Sequence, residues 1–245
     1  MSVSDTVLIP GGRDVRATLD VAAPASETAE ETKSTAETET TPRPTAEGDA
    51  TVDDTDAVVV ACPPHPEHGG HRGDERLTAV SDALTTLGVD CLRFDYGEWD
   101  EGYGECTDAD NAVGWAAERY DRVGLFGFSF GGTVALVTAA SRPSIAGVCA
   151  LAPTARLTPE ADAVDAIDTL AARSQVDCDE STDRRSPVTV AYATRDSTAD
   201  WEPVVDRAET AGITTVAVES DHFFVGRAAE VSEMVADALV PWMTL

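Results

Sequence analysis

From residue 57 onward, short apolar runs alternate with longer segments whose apolar residues recur at helical spacing. No other feature constrains the fold as strongly. Residues 57–61 (AVVVA), 89–94, 122–128, 145–151, 188–193 and 214–218 read as strands, bounded by glycine, proline or acidic clusters. Between them, 75–87, 109–120, 131–140, 159–173, 201–211 and 225–239 read as helices. In the first of these, Leu77, Val80, Leu84 and Leu87 form one stripe, and Gly88 stops it. Residues 95–108, rich in glycine and acids, read as a loop. Such alternation implies right-handed βαβ units and a parallel sheet. The expected fold class is therefore α/β, a doubly wound and mostly parallel sheet. Ligands of such sheets sit at the carboxyl ends of the strands, which is where chemistry is to be sought.

The first 56 residues depart from this rhythm. TVLIP and VRATLDV flank Gly11-Gly12, so residues 1–23 are expected to form an edge hairpin of the same domain. Residues 24–56 are rich in Thr, Ala, Glu and Pro, with almost no large apolar side chain, and are expected to be an acidic disordered loop. Residues 57–245 carry the main domain.

Acidic residues number 45 against 17 basic ones, for a formal net charge of −28, and Lys33 is the sole lysine. Such a chain repels nucleic-acid phosphates and anionic membranes, so neither is an expected partner. The acids are spread along the whole chain and repel one another. Molar salt, where the Debye length is ~3 Å, screens that repulsion, so a salt-rich cytoplasm is expected. Residues 1–10 show neither a basic start nor a long apolar region, so no secretory signal is read there. No run approaches the ~20 apolar residues of a membrane helix. Cys62, Cys91, Cys106, Cys149 and Cys178 contain no CxxC pair and are expected to be mostly small buried residues in a reducing compartment.

The sharpest motif is Gly127-Phe128-Ser129-Phe130-Gly131, a G-x-S-x-G placed between a predicted strand and a predicted helix. That context is the one a nucleophile elbow requires. Its turn is so tight that side chains two residues from the serine would collide. A helix N-terminus beside the serine also stabilises a developing anion. A serine nucleophile needs a base. Of the histidines at 65, 68, 71 and 222, only His222 follows Ser129, and it stands directly after the strand TTVAV. The orienting acid belongs after the strand between them, where Asp196 lies. Asp200 is the nearest competitor, better placed to cap the next helix. Asp221 is too close in sequence to His222 for easy pairing.

An oxyanion hole needs two aligned donors. Phe130, following the nucleophile, offers one amide. The other belongs to the loop Cys62-Pro63-Pro64-His65-Pro66-Glu67-His68-Gly69-Gly70-His71, whose prolines lack an N–H. Glu67 is the candidate, with His65 behind it. Because His65, His68 and His71 recur every three residues, the same loop also suggests a metal site. Its prolines and glycines, however, forbid a helix that would put the three on one face, and no familiar zinc spacing accompanies them.

The runs PHPEHGG, LRFDYGEWDEGYGE, GFSFGG and DHFFVGR, in that order, resemble small α/β-hydrolases of the dienelactone-hydrolase-like kind. The resemblance covers most of 57–245. It implies a fold of the α/β-hydrolase type and an esterase-type triad on Ser129, Asp196 and His222. It also implies an oxyanion loop at PHPEHGG and an open site with little lid. Pro63 stands where such relatives often carry histidine. Residues 154–186 are longer than in compact relatives and are expected to form a small cap over Ser129. Dienelactone hydrolases proper use a cysteine in the elbow, so their substrate is not carried over.

The expected activity is hydrolysis of a small-molecule carboxylic ester or thioester through an acyl-enzyme, with no cofactor or metal implied. Phe94, Tyr96, Phe128, Phe130, Phe223 and Phe224 flank the strand ends, either lining an acyl pocket or packing the core. A non-catalytic binding or regulatory protein on the same scaffold is the alternative. Oligomeric state stays open.

Overall fold

The computed structural model describes residues 3–23, 55–176 and 187–244. Within them an eight-stranded sheet runs in the order β1-β2-β4-β3-β5-β6-β7-β8. The strands are β1 Val3–Ile9, β2 Val15–Val21, β3 Ala57–Cys62, β4 Asp90–Asp95, β5 Arg122–Phe128, β6 Gly147–Leu151, β7 Val188–Ala193 and β8 Thr214–Val218. The hairpin of β1 and β2 is antiparallel and joins β4 antiparallel, while every other pairing is parallel. The expected doubly wound α/β sheet is thus present, with the β1–β2 hairpin at one edge. The segment 24–56 falls outside the described residues except for Thr55 and Asp56, and Cys178 lies outside them altogether.

The helices are α1 Glu75–Thr86, α2 Tyr103–Ala117, α3 Phe130–Ser141, α4 Ala163–Val176, α5 Glu202–Thr210 and α6 Ala228–Met243. They cover both faces of the sheet, α1 and α6 on one and α2 to α5 on the other. Both faces being covered explains why the central strands read as continuous apolar runs. In β3, Val58 and Val60 join the core beneath α2 to α5, whereas Val59 and Ala61 join the core beneath α1 and α6. Among the described residues, no helix is long and apolar enough to cross a membrane.

Helix boundaries depart from expectation most at α2, α4 and α6, the last of which runs over 228–243 rather than 225–239. The first is α2, which begins at Tyr103 rather than at 109, taking in residues that read as loop. Its early start depends on Glu105, whose carboxylate accepts from the N-cap amide of Gly102 at 2.8 Å. The second is α4, which begins at Ala163 rather than at 159, behind the Asp162 carboxylate that accepts from the amides of Val164 and Asp165.

Candidate active site

Between β5 and α3 the chain turns within a single residue. Ser129 carries φ 57° and ψ −120°, a left-handed backbone that a residue other than glycine adopts only when its surroundings enforce it. The surroundings are backbone on backbone. A Cβ on Gly127 would lie 2.0 Å from the Gly131 carbonyl oxygen, and one on Gly131 would lie 2.2 Å from the Cys62 oxygen. Both glycines are therefore required for the close approach. The Ser129 amide donates to the Leu151 carbonyl at 2.8 Å, pinning the elbow to the end of β6.

Each remaining member of the constellation stands just beyond a strand. Asp196 follows β7, and its side chain is fully buried. Its Oδ1 accepts from the amides of Thr198 and Ala199, at 2.8 and 3.1 Å, leaving Oδ2 to face His222. His222 follows β8 and is 5% exposed. Its Nδ1 lies 2.6 Å from Asp196 Oδ2, and its Nε2 lies 2.9 Å from Ser129 Oγ. The two loops are also tied directly, because the Arg195 amide donates to the Ser220 carbonyl at 3.0 Å. The structure thus brings Ser129, Asp196 and His222 into one hydrogen-bonded line. Asp200 lies exposed, and Asp221 accepts from the Phe223 amide within its own turn.

Beneath this line runs a column invisible in the sequence. The Arg76 guanidinium stands 4.5 Å over the Phe128 ring, and Phe128 in turn packs against the His222 ring with centroids 5.3 Å apart. Arg76 Nη1 donates to the Phe223 carbonyl at 3.0 Å. One side chain of α1 therefore braces residues adjacent to both the serine and the histidine.

Ser129 and His222 open into a cleft of about 370 Å³, within the size range of small-molecule sites. Its walls include Phe130, Trp99, His65 and Leu157. Thr154, Arg156 and Leu157, from the segment expected to form a cap, supply part of the rim, while 177–186 lie outside the described residues. Of the aromatic residues expected to flank the site, Phe94, Phe128 and Phe224 are core residues, and Phe130 alone reaches the cleft. Trp99, which sequence reasoning missed, lies 4.6 Å from the His65 ring and 5.8 Å from that of Phe130. A larger cavity of about 590 Å³ opens at the far end of β6 and β7, but its described lining holds no histidine, cysteine or carboxylate. The smaller cleft is the one lined by Ser129 and His222.

Phe130 is the first residue of α3, so its amide has no intrahelical acceptor and points out of the helix N-terminus. Glu67 sits exposed on a short 3-10 turn and is absent from the cleft lining, whereas His65 is part of it. Burial first, and then neighbouring His68, push the His65 imidazole below its ordinary value. The loop histidines do not converge. His65 and His68 stack at 4.5 Å, while His71 Nδ1 accepts from the Gly73 amide at 2.9 Å. Among the described residues, no group of three or more His, Cys, Asp or Glu side chains is arranged to hold a metal ion. Burial pushes the Cys62 thiol well up and those of Cys91 and Cys149 up to about 12, which leaves them poor nucleophiles.

No protein-family model and no curated protein sequence matches the chain. Solved structures do match its fold over nearly its whole length. An α/β serine hydrolase homologue from Coxiella burnetii aligns with TM-score 0.67 at 20% identity, covering 96% of this chain and 97% of its own. An α/β serine hydrolase without a lid from Xanthomonas campestris aligns with TM-score 0.65 at 22% identity, covering 100% and 96%. A dienelactone hydrolase from Anabaena variabilis aligns with TM-score 0.63 at 16% identity, covering 99% and 98%. The fold is that of the α/β-hydrolases.

Proposed function

We propose that the protein is a serine hydrolase that cleaves carboxylic esters or thioesters through an acyl-enzyme. The observation that carries this reading is the line from Ser129 Oγ to His222 Nε2 to Asp196 Oδ2, closed at 2.9 and 2.6 Å in one cleft. A buried carboxylate on Nδ1 fixes the tautomer whose Nε2 accepts a proton. His222 then takes the Ser129 proton as Oγ attacks the acyl carbonyl. The oxyanion forms beside the Phe130 amide, at the positive end of α3. For the second donor, the cleft lining favours the His65 amide over that of Glu67. Collapse of the tetrahedral adduct breaks the bond to the alcohol or thiol, which leaves with the proton from His222. Water, deprotonated by the same imidazole, then releases the acid and restores Ser129.

A small-molecule acyl donor fits a cleft of about 370 Å³. The charge of −28 agrees with work in a salt-rich cytoplasm. The test is labelling with a fluorophosphonate in ~2–3 M KCl, a range set by the screening length. Wild type is expected to label, Ser129→Ala not to label because the reacting oxygen is gone, and His222→Ala to label roughly 10⁴-fold more slowly. A folded wild type that does not label would overturn the reading in favour of a binding or regulatory protein on this scaffold.

A further inference from the structure

We infer that Arg13, at the tip of the N-terminal hairpin, is a positioning residue that sets the substrate-size preference of the cleft by holding the wall that carries Trp99. The inference builds on the hydrolase reading above, and it begins from two buried acids. Glu105 and Asp108, one turn apart on α2, have fully buried side chains. Buried carboxylates require compensation by hydrogen bonds and a counter-charge. The hydrogen bonds come from the backbone of the segment between β4 and α2. Asp108 Oδ2 accepts from the Gly97 amide at 2.9 Å, while Glu105 accepts from the amides of Asp100 and Gly102 at 2.9 and 2.8 Å. Glu101, between those last two, is held at φ 54°. Three amides thus fix the segment whose Trp99 and Glu101 side chains face the cleft.

The counter-charge arrives from the other end of the sequence. Arg13 Nε donates to Asp108 Oδ1 at 2.7 Å, and its Nη2 lies 3.7 Å from Glu105 Oε1 while donating to the Glu98 carbonyl. One guanidinium therefore meets both acids and the backbone next to Trp99. Room for it is made by glycine. A Cβ on Gly104 would lie 2.3 Å from Arg13 Nη1, and a Cβ on Gly97 would lie 3.3 Å from Arg13 Cβ. The arginine sits in a slot shaped for it, and its removal leaves two neighbouring carboxylates buried without a cation. The wall then loosens while the elbow, pinned to β6 by backbone contacts of its own, stays in place.

The test compares wild type with Arg13→Met and with Gly104→Ala in ~2–3 M KCl. The second variant keeps the arginine but puts a methyl group where its guanidinium lies. The contact is with the far end of a flexible side chain, so in Gly104→Ala the guanidinium shifts while its charge stays near both acids, and this variant stays folded if Arg13→Met does not. For each protein, KM and kcat are measured on a bulky ester (4-nitrophenyl octanoate) and on a small one (vinyl acetate). Amide exchange at Gly97, Asp100 and Gly102 is followed as well. Both variants are expected to raise KM for the bulky ester about tenfold and to leave kcat for vinyl acetate within about twofold of wild type. Exchange at the three amides is expected to quicken about tenfold or more, with α3 unchanged. Unchanged KM and unchanged exchange in a folded variant would overturn the inference. So would an equal loss of activity on both esters, which would make Arg13 a general stabilising residue. If wild type cleaves neither ester and takes no fluorophosphonate label, the hydrolase reading fails and the size preference with it. If it labels but cleaves neither, the size preference alone fails. The exchange comparison would then show separately whether the clamp exists.

Discussion

The two sides of the cleft are held in place by different forces. On one side, Ser129, Asp196 and His222 stand at the ends of β5, β7 and β8, and their positions follow from the parallel ladder and from backbone packed on backbone at Gly127 and Gly131. On the other side, the wall bearing Trp99 has no strand or helix of its own. Its amides are held by the carboxylates of Glu105 and Asp108, with Arg13 as counter-charge. The side bearing Ser129 and His222 is thus built from contacts that tolerate no added atom, and the facing side from buried charges that tolerate no missing partner. The proposed acyl transfer demands fixed geometry at the first, while at the second the proposed size preference leaves room for a change of side chain.

The sharpest way to separate the two sides is to disturb the line from Ser129 through His222 to Asp196 without moving its backbone. Asp196→Asn keeps the shape but lets an amide donate to His222 Nδ1, which reverses the tautomer and removes the acceptor at Nε2. kcat is expected to fall about 10⁴-fold with KM little changed. Steady-state kinetics on one activated ester checks this, and a loss below tenfold would mean that another group orients the histidine. A smaller effect is expected from Gly131→Ala, whose new methyl group would meet the Cys62 and Pro63 carbonyl oxygens at 2.2 and 2.4 Å. Since these atoms are backbone, the elbow itself must shift. The fluorophosphonate labelling rate is expected to fall about 10²-fold, the loss typical of a misplacement near 1 Å. A wild-type rate would show that the elbow is not braced by this contact.

This division also explains what could be read from the sequence. The bounds of β5, β7 and β8 coincide with the runs 122–128, 188–193 and 214–218. β5 and β7 are covered on both faces and so read as nearly continuous apolar runs, whereas β8 is a partly exposed edge strand set off by Gly212 before it and Glu219 after it. Ser129, Asp196 and His222 follow from those strand ends. The facing wall was not legible. Glu105 and Asp108 look like solvated loop acids in sequence, and only burial beside an arginine some ninety positions away turns them into the start of α2. The same ambiguity hid Trp99. The proline-rich loop after β3 was hard to read for another reason. Eliminating prolines left both His65 and Glu67 as amide donors, and only the 3-10 turn over Pro66–His68 puts Glu67 on the outside. Arg76 was hidden because its role depends on how α1 lies across Phe128, which no local pattern records.

The mildest expected effect concerns a second arginine–carboxylate contact, at the root of the hairpin. Asp20 is 6% exposed and accepts from Ser4 of β1, Ser81 of α1 and Arg93 of β4, at 2.6, 2.6 and 2.7 Å. Burial pushes its carboxyl up, but the three hydrogen bonds and the Arg93 charge outweigh this and hold it below the ordinary carboxylate value. Asp108 differs in sign, since burial lifts its carboxyl above the ordinary value despite Gly97 and Arg13. A carboxyl lowered by folding contributes stability above its unfolded value and loses it as pH falls through its folded value. For one raised by folding, stability is greatest below its unfolded value and is lost as pH rises through its folded value. Asp20→Asn is therefore expected to cost about 2 kcal/mol at pH 7, and the cost should shrink once pH falls below about 4. Asp108→Asn is expected to show the opposite trend, its cost relative to wild type growing as pH falls. Urea unfolding at pH 7 and pH 3 in constant molar KCl checks both, with surface repulsion screened so that the buried contacts dominate the comparison. Parallel pH dependence in the two variants would mean that the hairpin root and the Trp99 wall are held in the same way, and the contrast between the two acids would fall.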